Sequence, residues 1–263
     1  MNGALTFNAN NLQDFNITTQ VGIITNVINH TSIPEKIAEL FTKADANGSV
    51  IPSINYPTKR ISIGGIIKGS SQDNLDTRID AFKAYFNGKD KNLDIDYAGS
   101  TRRYIATANS IGVSREQKAL YATFTIEFIC TNPFGLDISA TSIINQAAYT
   151  SATFNATPTI TGSAPYQLPI FTITINALTG TGDYIQISND NNNQQIMLYG
   201  LGLAANDVVV IDCANRVVTV NDLPVDYFGT FLEVELGASS ITYTDGFATR
   251  SVDIDGEYIK RYL

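Results

Sequence analysis

Strict alternation of apolar and polar residues constrains this chain more than any other feature. In Ala122-Thr123-Phe124-Thr125-Ile126-Glu127-Phe128 every second residue is apolar. Leu93-Asp94-Ile95-Asp96-Tyr97 and Phe171-Thr172-Ile173-Thr174-Ile175 repeat the pattern. Successive side chains of a strand point to opposite faces, so each run offers one face to a core and one to water. A helix would scatter the same residues around its axis. These runs predict half-buried strands of antiparallel sheets. Arg60-Ile61-Ser62-Ile63-Gly64-Gly65-Ile66-Ile67 also alternates, and its glycine pair is expected to break the strand.

Composition points the same way. Ile, Val and Thr number 32, 13 and 28 among 263 residues, against 16 Leu. Branched side chains are stiff at χ1 and suit a pleated surface better than a helix. The fold class is mostly β, and 44% hydrophobic residues suffice for a sizeable core.

One segment breaks the β pattern. Leu75, Ile79, Phe82 and Phe86 recur at helical spacing, and they form one apolar stripe. Ser70 or Ser71 can cap such a helix, Asp73 and Asp76 lie in its first turn, and Gly88 supplies a left-handed stop. The helix is expected to pack across a sheet. A second, shorter helix is expected over 34–43, with Ile33, Ile37, Leu40 and Phe41 on one face.

The charge is distributed unevenly along the chain. Residues 1–145 hold 13 Lys and Arg against 13 Asp and Glu. Residues 146–263 hold 4 against 12, which is the whole formal charge of −8. Such a shift predicts two domains, 1–145 and 146–263, joined by the Ser/Thr/Ala-rich stretch 141–162. The second half reads as short strands at 159–162, 170–175, 184–188, 196–199, 208–212, 216–220, 231–236, 241–243 and 252–254. Turn residues punctuate them, including 189–193, 213–215 and Asp245-Gly246, as in a β-sandwich.

Chemistry-bearing residues are sparse. The chain has one His (His30), two Cys (Cys130, Cys213) and no Trp. These do not assemble a zinc site at the usual close spacing, and His30 has no nucleophile elbow to serve. Free, buried thiols in a reducing compartment are the expected state of both cysteines. The run 189–193 offers one Asp where calcium needs several carboxylates, and it reads as a hairpin tip. Gly180-Thr181-Gly182-Asp183 lacks the Lys and the following helix of a phosphate loop. Asp94 and Asp96 share a strand face at about the spacing of a glycosidase carboxylate pair, roughly 6–7 Å, but nothing else assembles a site around them. Asp253 and Asp255 also share a face, and a solvated face is the default for them. No catalytic, cofactor-binding or metal residue is assigned, no cofactor is expected, and an enzyme is not expected. The acidic balance argues against sequence-specific nucleic-acid binding. No leader segment or membrane span is visible, so membrane insertion is not expected.

The elements also stand in a definite order. The strand from Arg60 to Ile66, the capped helix over 75–86 and the strand from Leu93 to Tyr97 come first. Arg103-Tyr104-Ile105-Ala106 follows. A long strand then closes on Phe128-Ile129-Cys130-Thr131-Asn132-Pro133-Phe134-Gly135. This ordered set resembles the distal tail proteins of long-tailed, non-contractile bacteriophages. The second half agrees through Leu168-Pro169-Ile170, the strand 185–189 and the tail 258–263. Residues 31–57 match no part of that pattern.

The resemblance implies an N-terminal β-sandwich or split-barrel-like domain with one packed helix, and a C-terminal galectin-like β-sandwich. It implies a structural role: a hexameric ring joining the tail tube to the tail-associated protein and the receptor-binding apparatus. The implied partners are other copies of the chain, the tail-tube protein, the tail-associated protein, and a receptor-binding protein or host-surface carbohydrate. The implied location is the virion tail tip, after synthesis and assembly in the host cytoplasm. From the residues alone, a carbohydrate-binding sandwich that docks to a cell surface stays open beside the structural role. The many aromatics of the second half could stack on sugars or fill its core.

Overall fold

A computed structural model describes residues 5–12, 22–28, 33–34, 36–42, 49–50, 54–97, 99–180 and 184–263. The chain divides into two compact units, Met1–Ile138 and Ser139–Tyr262. Residues 139–145 carry no charge, so the first unit holds the 13 cations and 13 anions of the balanced half.

The first unit is built on an antiparallel sheet with a helix against it. From edge to edge its strands are Asn10–Asn11, Leu5–Phe7, Lys91–Tyr97, Ser100–Arg115, Tyr121–Cys130, Lys59–Lys68 and Gly22–Ile28. The alternating runs over 60–67, 93–97 and 122–128 lie in it, with Leu93, Ile95, Ala122, Phe124, Ile126 and Phe128 buried. Contrary to expectation, the glycine pair does not interrupt its strand. Lys59–Lys68 runs unbroken, and Gly64 and Gly65 keep their pairing with Thr125 and Phe124. Ladder bonds on both sides, from Tyr121–Cys130 and Gly22–Ile28, offset the flexibility that glycine brings.

The helix spans Gln72–Ala84. Ser71 is its N-cap: its Oγ accepts from the Asn74 N–H at 3.2 Å, and the Asn74 Oδ1 accepts from the Ser70 N–H at 3.0 Å. This reciprocal arrangement satisfies two donors at the helix start. Ser71→Ala should therefore cost about 1 kcal/mol, measured as a shift in the urea midpoint. Leu75, Ile79 and Phe82 are buried, and Phe86 follows just past the helix end. The helix stops at Ala84, short of Gly88, whose positive φ of 99° shapes the turn into the next strand.

The second expected helix is absent. Ile37–Ala38 pairs with Ile54–Asn55, and Phe41–Thr42 pairs with Ser49–Val50, so the segment is a nested β-hairpin. Ile33, Ile37 and Leu40 are exposed. A short helix depends on burying its apolar face, and three residues of that expected face are not buried here.

The second unit is a sandwich of two antiparallel sheets. One orders Thr249–Tyr262, Pro169–Thr179, Val208–Asp212, Val217–Val220 and Leu223–Pro224. The other orders Thr153–Ala156, Ile241–Asp245, Tyr184–Asn189, Gln194–Tyr199 and Phe228–Gly229. Their inner faces share one core that includes Phe171, Ile173, Ile175, Ile185, Ile187, Val209, Ile211, Tyr243, Val252 and Ile254. The stretch expected to be a connector is structured instead. It holds most of Gly135–Tyr149 together with Thr153–Ala156 and Thr159–Ile160. Backbone pairing needs no apolar pattern, so few core anchors there, such as Ile144, suffice. The expected strand over 231–236 shrinks to Val234–Glu235, paired with Tyr166–Gln167.

Candidate functional site

The residues weighed for chemistry are mostly tied into the fold. Asp94 and Asp96 face neighbours on Ser100–Arg115 rather than an open site. Arg103 donates through Nε and Nη2 to the two Asp94 oxygens, both at 2.8 Å, and Thr101 Oγ1 donates to Asp96 at 2.6 Å. Each is a cross-strand pair in register. Asp253 accepts from the Ala148 N–H at 2.7 Å and from Asn176 at 2.8 Å, so it joins neighbouring strands.

Both thiols are buried. Burial pushes each up to about 12, so both are protonated at neutral pH. His30 and Thr181, Gly182 and Asp183 of the glycine-rich loop lie outside the described residues. Among the described residues, no group of three His, Cys, Asp or Glu side chains is placed to hold a metal ion. Among them, too, no helix is long and apolar enough to cross a membrane.

The run 189–193 is the tip of the hairpin between Tyr184–Asn189 and Gln194–Tyr199, with Asn193 at a φ of 57°. Its amides act as clamps. Asn189, fully buried, and Asn192 both donate to the Glu233 carbonyl, at 2.9 and 2.8 Å. Gln194 Oε1 accepts from the Glu233 N–H at 2.6 Å. Asp190 accepts from Thr242, Ser240 and Ser188, and the Thr242 hydroxyl foremost holds its carboxyl below the usual range.

Two further features carry little sequence signal. Asp245 is a buried carboxylate that accepts from the Tyr243 hydroxyl, the Phe247 N–H and Arg250 Nε. The sequence alone marks Asp245-Gly246 as a turn. The other is a cleft in the second unit, lined by Tyr166, Gln194, Arg216, Tyr227, Phe231 and Glu233. Its residues are scattered over 68 positions, from 166 to 233, so no local motif could announce it. Of the second unit's aromatics, Phe171, Tyr243, Phe247 and Tyr258 fill the core, while Tyr199, Tyr227 and Phe228 are exposed.

Comparison with known proteins places these features in a family. Residues 10–130 match a phage tail protein RIFT-related domain. Residues 161–262 match the C-terminal domain of siphovirus-type tail components. No curated protein matches the chain. The crystal structure of the Dit protein of phage SPP1, described as a hub of the adsorption apparatus of phages infecting Gram-positive hosts, superposes over 100% of both chains. Its TM-score is 0.70, at 12% identity. A chain of the phage P2 baseplate in its activated conformation aligns over 99% of this chain and 98% of its own, with a TM-score of 0.45 and 8% identity.

The SPP1 likeness shows that the fold is that of a distal tail protein, with a galectin-like sandwich as its second unit. The two family matches lie on the two compact units and together span most of the sequence. On these grounds the chain belongs to the distal tail protein family of siphophages and is a structural component of the phage tail.

Proposed function

We propose that the chain forms a hexameric ring at the tip of the tail tube, joining the tube to the tail-associated protein and the receptor-binding apparatus. Residues 1–145 form the ring, and residues 146–263 stand out from it as an arm. The observation that carries this reading is the charge partition: 13 against 13 in the first part, 4 against 12 in the second. A closed ring needs a heterologous interface between like copies, and a balanced surface can pack on itself. The exposed Leu120, Tyr121 and Ile138 give the first unit apolar area for such contacts. The acidic second parts repel one another, which favours arms held apart at the periphery. The role is assembly rather than catalysis, with synthesis and assembly in the host cytoplasm.

Light scattering on the purified chain should give roughly 171 kDa, six times 28.5 kDa, or a small multiple if rings stack. Negative-stain images should show rings with separated outer densities. A monomer without rings would overturn the proposal, and second domains packed on one another would overturn the repulsion argument. A second reading, in which the arm binds carbohydrate at the cell surface, draws on the cleft beside Tyr227.

A further inference from the structure

The cleft has a volume of about 370 Å³, within the range of small-molecule sites. Tyr227 and Phe231 meet edge to face in its wall, with ring centroids 4.9 Å apart. This contact holds the Tyr227 ring at the rim, 39% exposed. Glu233 and Gln194 line the wall with them, and Arg216 comes from the tip of the hairpin that joins Val208–Asp212 to Val217–Val220. A second hollow of similar size shares Tyr166 and Glu233 and adds Glu235.

The cleft is preformed. The amides of Asn189, Asn192 and Gln194 fix both backbone groups of Glu233 and leave its carboxylate outside those bonds. Gly229 lets the loop lie against the neighbouring strand. A Cβ there would sit 2.1 Å from the Gln195 carbonyl oxygen, and φ is +102°. The Thr230 N–H donates to that same carbonyl at 2.8 Å. Leu232 and Val234 anchor the loop from beneath.

Charge selects the class of ligand. Residues 146–263 carry only 4 cations, and 2 of them lie here. Arg216 lines the cleft, and Arg261 sits over the Tyr166 ring, 5.3 Å from its centroid. Glu233 and Glu235 stand against them, so this patch is balanced within a strongly acidic unit. An anionic ligand meets the carboxylates, and a cationic one meets Arg216. An uncharged polyol fits all the groups. Its hydroxyls can donate to Glu233 and accept from Arg216 and Gln194, while an apolar ring face lies on Tyr227.

We propose that this cleft binds an uncharged sugar residue, with Tyr227 as the stacking platform and Glu233 and Arg216 as its polar clamps. The inference rests on the second reading of the arm and leaves the ring independent of it. Saturation-transfer NMR on the full chain tests it, with lactose, cellobiose and N,N′-diacetylchitobiose as probes and glycerol 3-phosphate as the charged comparison. At least one uncharged probe should receive saturation. Its affinity should fall by roughly tenfold or more in Tyr227→Ala and in Glu233→Gln, as expected for loss of a stacking or charge-assisted contact. Tyr199→Ala, which removes an exposed ring outside the cleft, should leave it unchanged. No transfer to any of the three sugars, undiminished transfer in Tyr227→Ala, or preference for glycerol 3-phosphate would each overturn the proposal. Light scattering on the same samples separates the two readings. Rings without sugar binding defeat this inference alone, and sugar binding without rings defeats the hub alone.

Discussion

Replacing Arg250 by alanine should destabilise the second unit by about 3–5 kcal/mol, because it strands a buried charge. The Asp245 side chain is fully buried, and Arg250 is only 10% exposed. Arg250 Nε donates to Asp245 Oδ1 at 2.7 Å, and its guanidinium also reaches the Phe247 carbonyl. The Phe247 N–H and the Tyr243 hydroxyl supply the remaining donors to the carboxylate, each at 2.9 Å. The network closes the corner between Ile241–Asp245 and Thr249–Tyr262.

Urea unfolding of the variant, followed by near-ultraviolet dichroism of the tyrosines, reads the loss. The double variant Asp245→Asn with Arg250→Met should lose much less than Arg250→Ala, since no unpaired charge remains. A double variant as unstable as the single one would show that packing, not charge, sets the cost. Burial, and next the Asp245 charge, push the Tyr243 phenol upward. Its folded value lies above its unfolded one. The contribution of the neutral phenol is therefore full at neutral pH and is lost as pH rises past the ordinary tyrosine value of about 10.

The second large effect belongs to the first unit. Phe82→Ala should cost about 3–5 kcal/mol, the usual range for deleting a buried aromatic. Phe82 is fully buried and touches Phe124 on the sheet, with centroids 4.6 Å apart. It meets Phe86 edge to face at 4.9 Å. It thus carries much of the apolar attachment of the helix to the sheet. Helical dichroism should fall together with the urea midpoint. Asp80→Ala, on the exposed face of the same helix, should change stability by less than about 0.5 kcal/mol. Equal losses in the two variants would mean that the apolar stripe does not anchor the helix.

These two sites differ in how far the sequence announces them. Phe82 belongs to a stripe at helical period, and period alone places it in the core. Asp245 reads as part of a turn with Gly246, and nothing in its spacing from Arg250 marks a buried ion pair. The same contrast runs through the fold. Ala122 to Phe128 alternates, and its apolar members are buried. Residues 34–43 show helical spacing, yet Ile37–Ala38 and Phe41–Thr42 pair as strands with Ile54–Asn55 and Ser49–Val50, and Ile33, Ile37 and Leu40 are exposed. The Ser/Thr/Ala stretch after 141 has too little pattern to read as strand. Backbone hydrogen bonding, which side-chain periodicity does not report, makes it one.

The asparagine run shows the limit most clearly. As a hairpin tip it is legible from its turn residues. Its second role, fixing the backbone of Glu233 and so shaping the cleft, depends on a loop about 40 residues away. What the sequence alone determined is the β class, the capped helix, the two-part charge distribution and the family likeness. All of these are local patterns or sums along the chain. What only the tertiary structure decided is which acids are paired, which aromatics reach water, and how Tyr166, Arg216, Tyr227 and Glu233 meet. Those are distances between segments remote in sequence, set by how the sheets close on a common core.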